Sequence, residues 1–393
     1  MMAAMLLFSG CADKKNDDRN DKEQAQEEDL TEEELSKEEM TDADDQEELQ
    51  EAGKEEDGEE KDDENDGEEE PEIPNESSLH IDYTTVDGLR MEKGSRIAVV
   101  IKNTETAYWK AARKGMEEAI EDLNEYLGYK GDDAIVCTIE GPKEDNGVDE
   151  QVNVLDMVLT ENPAVVCLAA VDMSSCEAQL EAAQEDGIPV VILDSGVESS
   201  ELTYTFCGTD NRAAGAEAAK RLCEAIGEEG QVAILAHSQL SQSSMDRIEG
   251  FQEELTKGHP NVHVVRLGYQ PTKEGDLTAK EQVEDALEKY PDIKGYFATN
   301  QSTSETVLSV LKEQEKQQIQ VVGVDMGEVQ KQAILDGTEY GSVCQNPYGM
   351  GYATIVAGVR AALGMETDQQ IDSGFQWMDQ STIALEEYER FLY

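Results

Sequence analysis

The sequence has little positive charge and no long apolar run. Lysine and arginine together number 31 against 89 aspartates and glutamates, which gives a formal net charge of −58 over 393 residues. Nucleic-acid binding depends on neutralising phosphates with lysine and arginine, so this composition argues against it. The apolar stretch Met1–Phe8 is far too short to cross a bilayer as a helix, which needs about 20 residues.

Common catalytic and metal-binding motifs are also missing from the sequence. There is no GxSxG, P-loop or HExxH motif, and no glycine-rich turn follows the first apolar run. His237 precedes Ser238 at a predicted strand end, but no acid is placed to orient its imidazole. The cysteines beyond Cys11 stand singly, without CxxC or His/Cys metal spacing, and are expected to be buried thiols, with a disulfide as the alternative. We therefore predict no enzymatic activity, no cofactor and no metal.

A long acidic segment follows Cys11. Residues 12–80 contain 33 acidic and only 7 basic residues, with hardly any aromatic or β-branched ones. Such a segment cannot bury enough apolar surface to offset the entropy of ordering, and its like charges extend it. About 70 residues of flexible chain reach roughly 45 Å. We predict a disordered acidic linker over residues 11–93, which serves as a spacer; an acidic interaction tail is the alternative.

The start of the chain suggests an anchor for this spacer. Phe8-Ser9-Gly10-Cys11 resembles the lipobox of bacterial lipoproteins, in which an apolar residue and two small residues precede the lipidated cysteine. The resemblance implies a signal peptide over residues 1–10, cleavage before Cys11 and a diacylglycerol on its sulfur. No lysine or arginine precedes the run and ten residues are few for a signal peptide, so we expect the true start codon upstream. A chance cysteine beside a methionine-rich start is the alternative.

The remaining 300 or so residues alternate short apolar runs with amphipathic stretches. Examples of the runs are IAVVI at Ile97–Ile101, PVVIL at Pro189–Leu193 and VAILA at Val232–Ala236. Continuous apolar strands that alternate with helices are typical of parallel sheets covered on both faces. The pattern divides into two similar halves that meet near Phe206–Asn211. The sequence therefore predicts an α/β fold with two doubly wound parallel-sheet lobes.

Ligands of doubly wound sheets bind beyond the carboxyl ends of the strands. Polar or aromatic residues stand directly after the apolar runs, and these are Thr106, Tyr108, Trp109, Asp194, Ser195, Asp210, Asn211, Asp246, Arg247, Asn300, Asp325 and Gln345. We place Asp246 and Arg247 in the first turn of a helix. These residues are the candidates for a ligand site.

Each candidate also has a purely structural interpretation. The two neighbouring aromatics after the first strand could pack the start of a helix. Arg247 could pair with Asp246 at the surface. Asp194, Asp325 and Asn211 could cap the helices that follow them, because aspartate and asparagine are common N-caps.

The order of these motifs resembles one family. GIPVVILD, GTDNRAAG, MDRIEGF, YFATN, VVGVD and SVCQNP occur in sequence across Arg96–Leu385, and together they resemble the type I periplasmic binding proteins of sugar ABC transporters, of the ribose-binding-protein kind. The resemblance implies two lobes joined by three hinge crossovers, which close on a ligand and then dock on a permease. It places an N-terminal lobe at residues 94–209 plus about 346–372, and a C-terminal lobe at 210–345 plus about 373–393.

The resemblance also implies roles for the candidate residues. Tyr108 and Trp109 match the aromatics that sandwich a sugar ring, and the polar clamps match Thr106, Asp194, Arg247, Asn300, Asp325 and Gln345, with Asp210 and Asn211 beside the first hinge crossing. Aromatic faces suit the C–H faces of a pyranose, and carboxylates, amides and guanidinium suit its hydroxyls. Ser195 departs from the pattern, because the family's sugar binders commonly have arginine there, and this argues against ribose, glucose and galactose.

The resulting hypothesis is a monomeric extracytoplasmic lipoprotein, anchored to the cell membrane through Cys11, that binds a sugar-like ligand and delivers it to an ABC transporter permease. The alternative is a lipoprotein that presents a sugar-like signal, or a molecule such as a furanosyl borate diester, to a sensor kinase or chemoreceptor.

Overall fold

The structure is a computed structural model that describes residues 81–144, 146–273 and 275–393. The predicted signal peptide, Cys11 and the linker up to residue 80 lie outside these ranges. Over the described part of the chain, the helices are too short or too polar to cross a membrane.

Two sheets organise the described residues. The strands are β1 (Arg96–Val100), β2 (Val136–Glu140), β3 (Val165–Leu168), β4 (Val190–Leu193), β5 (Thr205–Gly208), β6 (Gly230–Ala236), β7 (Val262–Tyr269), β8 (Ile293–Ala298), β9 (Gln320–Val324), β10 (Gly341–Gln345), β11 (Gln370–Asp372) and β12 (Phe375–Met378). The first sheet has the order β11-β5-β4-β3-β1-β2, and the second has the order β12-β10-β9-β8-β6-β7. The pairs are parallel except β10 with β12, which is antiparallel.

Helices connect successive strands and cover the sheets. They are α1 (Ala107–Leu127), α2 (Val148–Thr160), α3 (Glu177–Glu185), α4 (Asn211–Ile226), α5 (Gln242–Gly258), α6 (Ala279–Lys289), α7 (Gln301–Glu313), α8 (Glu328–Asp336) and α9 (Pro347–Ala362). Separate apolar clusters lie on the two faces of each sheet. The prediction of two doubly wound α/β lobes is confirmed.

The apolar runs of the sequence became the central strands, because those strands are covered on both faces. All four residues of β3 and all four of β4 are buried. The short strands β11 and β12 were not predicted. Their sequences, QID and FQWM, contain no continuous apolar run, since each lies at the edge of its sheet.

In residues 81–393, as far as the structure describes them, three segments cross between the lobes: one joins β5 to α4, one joins β10 to α9, and one joins β11 to β12. Hydrogen bonds tie these crossings together. The Thr209 hydroxyl donates to Gln345 Oε1 at 2.9 Å, the Ser373 amide to Gly208 O at 2.9 Å, and Asn346 Nδ2 to Ser373 O at 3.3 Å. The crossings therefore form one connected hinge beside the carboxyl ends of both sheets.

Glycines let α4 and α5 pack closely in the second lobe. A Cβ atom at Gly215 would clash with the carbonyl oxygen of Arg247, and one at Gly250 would clash with that of Arg212. α1 and α9 approach each other in the same way in the first lobe. The close approach of α4 and α5 fixes the backbone of Arg247, whose side chain is part of the site.

Residues 81–93, which we predicted to belong to the disordered linker, pack against the first lobe. Tyr83, Val86, Leu89 and Met91 are buried in its apolar cluster. The Tyr83 hydroxyl also accepts a hydrogen bond from the Asp368 amide at 2.8 Å. Four apolar side chains within nine residues provide the buried surface that the acidic stretch lacks.

Candidate functional site: the cleft between the lobes

A cavity of about 180 Å³ lies between the two lobes. Eight of the predicted site residues line it: Thr106, Tyr108, Trp109, Asp194, Arg247, Asn300, Asp325 and Gln345. Its volume is below the roughly 300–1,000 Å³ typical of drug-sized ligands. The cavity thus suits one small molecule held by residues of both lobes.

The start of α1 forms the aromatic part of the wall. Thr106 is the N-cap of the helix, and its hydroxyl accepts from the Trp109 amide at 3.5 Å. Tyr108 and Trp109 therefore lie in the first turn, and their rings meet edge to face at a centroid distance of 5.2 Å. Both side chains belong to the core cluster of the first lobe and also line the cavity. Their positions are therefore compatible with both the packing interpretation and the site interpretation.

Asp194 follows β4 with a left-handed φ of 61°. Its Oδ1 accepts from the Tyr108 hydroxyl at 2.6 Å, and its Oδ2 lies 3.4 Å from Lys102 Nζ. Burial, and then the Asp194 carboxylate, raises the pKa of Tyr108 well above its ordinary value, so the phenol stays protonated and donates a hydrogen bond to Asp194. Asp194 is thus held in place by a neutral donor and by a cation.

Lys102, which sequence reasoning missed, links the lobes. Its ammonium also donates to Ser241 Oγ at 3.0 Å and to Ser243 Oγ at 3.5 Å, both on the second lobe. An ammonium has three N–H donors, and these contacts together with Asp194 account for them. Lys102 stands two residues after β1. The rule that ligand-binding residues lie just beyond the carboxyl ends of strands would therefore have identified it.

Ser195 is buried behind the cavity wall. Its hydroxyl lies 3.0 Å from Ser241 Oγ and accepts from the Ser243 amide at 3.4 Å. Nearby, the Met173 amide donates to Leu240 O at 2.9 Å across the same gap. These bonds join the two lobes, and the structure is therefore the closed arrangement of the cleft.

Arg247, like Asp246, lies in the second turn of α5, and not in the first as predicted, because the helix begins at Gln242. It is 2% exposed. Its Nε donates to Asn211 Oδ1 at 2.8 Å and its Nη1 to Thr299 O at 2.6 Å. Within the described ranges it forms no ion pair, and Asp246 accepts from Gln242 instead. The guanidinium therefore has further N–H groups at the cavity wall for which the described residues provide no acceptor.

Asp325 follows β9 with a left-handed φ of 77°. Its Oδ1 accepts from Gln345 Nε2 at 2.7 Å and from the Tyr393 hydroxyl at 3.1 Å, while Oδ2 accepts from the Gln301 amide at 3.0 Å. Asn300, beside it, caps α7 through an Oδ1 that accepts from the Thr303 amide at 3.0 Å. Tyr393 was not among the predicted residues, since nothing in the local sequence connects it to β9.

The helix-capping interpretation fails for three of the candidates. Asp194 is followed by a loop and not by an α-helix, and α8, after Asp325, has Gly327 as its N-cap. At α4 the cap is Asp210, whose carboxylate accepts from the Ala213 amide at 2.9 Å. Asn211 is then the first helical residue and is free to hold Arg247.

His237 lines the cavity, although its sequence position matched no predicted site residue. It is 7% exposed, and its Nδ1 lies 2.8 Å from Thr299 Oγ1. Burial, and then the charges of Lys102 and Arg247, hold the pKa of His237 well below its usual value. The imidazole is therefore neutral at neutral pH. His237 follows the apolar strand β6, which is the same pattern that identified the other residues.

The charges around the cavity nearly balance. Lys102 and Arg247 are opposed by Asp194, Asp325 and Glu305, and amides, hydroxyls and aromatic faces fill the rest of the wall. Such a wall offers hydrogen-bond acceptors and donors at fixed positions together with flat apolar surfaces. This combination suits a small neutral ligand with several hydroxyl groups and an apolar ring face.

Two doubly wound lobes, a three-segment hinge and a polar cavity closed from both sides define a two-lobed ligand-binding protein. The periplasmic binding protein domain matches residues 97–366, which is more than half of the chain. The chain belongs to the periplasmic binding protein family.

The relatives are sugar-transport and polyol-binding proteins. The ribose import binding protein of Escherichia coli (strain K12) is 23% identical over 290 residues, which cover 74% of this chain and 88% of that protein. A xylitol-binding protein of Mycolicibacterium smegmatis is 24% identical over 218 residues, or 55% of this chain and 60% of that protein.

Solved structures share the fold. An ABC transporter solute-binding protein from Agrobacterium vitis with bound D-fucose superposes with a TM-score of 0.69 at 26% identity, covering 76% of this chain and 100% of that one. A carbohydrate transporter solute-binding protein from Agrobacterium radiobacter in complex with D-arabinose gives 0.68 at 23% identity, covering 76% and 99%.

Proposed function

We propose that this protein is an extracytoplasmic lipoprotein that binds a neutral monosaccharide or a related polyol and delivers it to the permease of an ABC transporter. The relatives support the ligand class, because their names specify ribose, xylitol, D-fucose and D-arabinose. They also support a binding role without catalysis, because all four are binding proteins and three are named as import or transporter proteins.

The observation that carries the proposal is the buried guanidinium of Arg247 in a cavity shared by both lobes. A buried cation without an ion-pair partner is costly unless its N–H groups are satisfied. Asn211 and Thr299 accept hydrogen bonds from two nitrogens of the guanidinium, and ligand hydroxyls would accept from its other N–H groups. Sugar hydroxyls accept such bonds without adding charge to a wall that is already nearly balanced.

The other residues divide into contact and support roles. Tyr108 and Trp109 would face the ring, and Thr106, Asn300 and Gln345 would meet its hydroxyls together with the two aspartates. Ser195 and Asn211 would act through their neighbours, since Ser195 contacts Ser241 and Asn211 holds Arg247. The ligand-contacting list is therefore shorter than the predicted one.

Lys102 bears on the identity of the sugar. Where the family's sugar binders commonly have an arginine, this chain has Ser195, and the cation beside Asp194 is Lys102, from the loop after β1. Its donors are used by protein oxygens, so it would hold the lobes closed and would not contact the ring. This difference favours a sugar whose hydroxyl pattern does not need a hydrogen-bond donor beside Asp194.

Calorimetry and solution scattering test the proposal together. The purified full chain is titrated with D-ribose, D-arabinose, D-fucose, D-allose and xylitol, and the radius of gyration is measured with and without the tightest ligand. We expect one-to-one binding of at least one of them and a smaller radius in the complex. Saturable binding without compaction would overturn closure, and no binding to any neutral sugar or polyol would overturn the ligand class.

Trp109→Ala tests the aromatic contact. Aromatic packing contributes about 0.5–1.5 kcal/mol beyond area burial, so with the lost buried area we expect a loss of affinity of roughly tenfold or more. His263→Ala, at an exposed position of β7, is the control and should bind normally. His237→Ala cannot serve as a control because that residue lines the cavity.

Cys11→Ala tests the anchor. If Cys11 is the lipidated residue, the variant should be released into the medium or should accumulate as an unprocessed precursor. A variant that remains processed and membrane-bound would contradict lipidation at Cys11; the start codon should be mapped first.

A further inference from the structure

A cluster of metal-ligating side chains lies outside the cleft, at the ends of α4 and α5. Cys223 is in the last turn of α4, Glu228 follows two residues after that helix, and His259 is the C-cap of α5. None of the three lines the cavity between the lobes. The residues are separated by up to 36 positions in the sequence, so no spacing motif identifies them.

The three ligand atoms point at one another. The Cys223 sulfur, a Glu228 oxygen and a His259 ring nitrogen all lie within 4.8 Å of one another. His259 Nδ1 is 2.5 Å from Glu228 Oε2. The backbone also fixes Glu228 beside the end of α4, because the Glu228 amide donates to Cys223 O at 2.9 Å. A shared centre between the three atoms is therefore geometrically accessible.

Two further observations point to a ligand at this centre. The Cys223 side chain is completely buried, and among the described residues its thiol makes no hydrogen bond. The second ring nitrogen of His259, Nε2, faces Glu254 Oε1 at 3.8 Å. A carboxylate behind the distal nitrogen is the usual arrangement of a metal-bound histidine, since it orients the ring and makes the ligating nitrogen more basic.

We propose that Cys223, Glu228 and His259 bind a zinc ion, with Glu254 orienting His259 and water as the fourth ligand. The chemistry of the set selects this metal: thiolate, imidazole and carboxylate are the ligands that zinc combines, whereas calcium and magnesium require oxygen ligands. The site would connect the C-terminal ends of the two helices that carry Asn211 and Arg247.

Binding requires small movements and the loss of a proton. Tetrahedral ligands at the zinc distances of about 2.0–2.3 Å lie roughly 3.3–3.8 Å apart, so the closest pair must separate and the widest must approach by about 1 Å. Glu228 is exposed, which lets its side chain adjust. Cysteine binds zinc as a thiolate, so the metal must displace the thiol proton of Cys223, and zinc binding should tighten as pH rises.

Zinc titration of the full chain tests the proposal. We expect one tight site per chain that Cys223→Ala or His259→Gln weakens by roughly a hundredfold or more, and that Glu254→Gln weakens by about 10–100-fold. Cobalt in place of zinc should give a thiolate-to-metal charge-transfer absorption that Cys223→Ala abolishes. Circular dichroism of each variant confirms that it is folded.

Matched variants separate this site from weak binding by other acidic residues. Cys176→Ala replaces a buried cysteine elsewhere, and His263→Gln replaces an exposed histidine on the same lobe. Both should bind zinc like the wild type. The proposal is overturned if zinc binds the wild-type protein no tighter than it binds the Cys223→Ala variant, or if the controls lose as much affinity as the cluster variants. It is also overturned if cobalt bound to the wild type shows no thiolate absorption.

Discussion

Two aspartates occupy equivalent positions in the two lobes. Asp194 follows β4 and Asp325 follows β9, each after a buried valine-rich strand and each with a left-handed φ. Each accepts a hydrogen bond from a tyrosine hydroxyl, Tyr108 for Asp194 and Tyr393 for Asp325. The two tyrosine rings meet edge to face at 5.8 Å, so the cleft places similar elements on its two sides.

The remaining partners of the two aspartates differ. Asp194 is paired with Lys102, whose other contacts reach across to the second lobe. Within the part of the chain that the structure describes, the Asp325 carboxylate receives only neutral donors, from Gln345, Gln301 and Tyr393. We propose that the same local structure has two roles: the Asp194 carboxylate is coupled to closure of the lobes, and the Asp325 carboxylate contacts the ligand without affecting closure.

Asp194→Asn should have the largest effect on sugar binding. It removes a carboxylate from the cavity wall, where charge-assisted hydrogen bonds contribute about 1.5–3 kcal/mol, and it leaves the largely buried Lys102 without its counter-charge. We expect affinity to fall by more than a hundredfold in calorimetry, with an opening of the unliganded lobes visible by scattering. Asp186→Asn, at the exposed end of α3, is the control, and a loss below about fivefold would contradict the coupling.

Asp325→Asn should have the next largest effect, without any change in closure. The asparagine keeps the size of the side chain but loses the charge that strengthens bonds to ligand hydroxyls, so we expect a loss of roughly 10–100-fold. The radius of gyration without ligand should equal that of the wild type. Asp336→Asn, on the exposed end of α8, provides the comparison. A more open structure in this variant would show that the two aspartates do not differ as described.

Tyr393→Phe should have a smaller effect. It removes one hydrogen bond to Asp325 and retains the ring contact with Tyr108, and a hydrogen bond of this kind contributes about 1 kcal/mol, or roughly fivefold in affinity. Calorimetry should resolve this loss. Tyr204→Phe, on a half-exposed tyrosine, should bind like the wild type. Equal affinities for both variants would mean that Tyr393 does not support the site.

Glu339→Gln should leave sugar binding unchanged and alter the pH dependence of stability. Among the described residues this is the third buried carboxyl, and its one donor is Gln330 at 3.3 Å; burial raises its pKa well above the ordinary glutamate value. The native state therefore retains a proton that the unfolded chain releases. The free energy of unfolding of the wild type should fall relative to Glu339→Gln as pH rises above about 4.3, until the raised pKa is passed.

Denaturant titrations at several pH values measure this difference. Glu328→Gln, at an exposed position on α8, is the matched control and should show no pH-dependent difference from the wild type. Free energies of unfolding of wild type and Glu339→Gln that differ by the same amount at every pH would contradict the raised pKa. Glu339 would then differ from Asp194 and Asp325 only in its lack of ligand contact.

Sequence reasoning found the two aspartates because their cause is local. A run of buried β-branched residues makes a strand, and the residue that follows it must lie at the carboxyl edge of the sheet. The same rule found Arg247 and the α1 aromatics, and it would have found Lys102 and His237 had it been applied to every strand. It placed Arg247 one turn too early because the start of α5 has no side-chain cap hydrogen bond.

What the sequence alone determined was the alternation of strands and helices, hence the two lobes, and the residues at the strand ends. The tertiary structure decided which of them meet. The pairing of Lys102 with Ser241, the contact of Tyr393 with Asp325 and the approach of Cys223 to His259 join residues far apart in the chain. Such contacts depend on how helices pack and lobes close, which the glycines of α4 and α5 and the hinge control, and no local pattern encodes them.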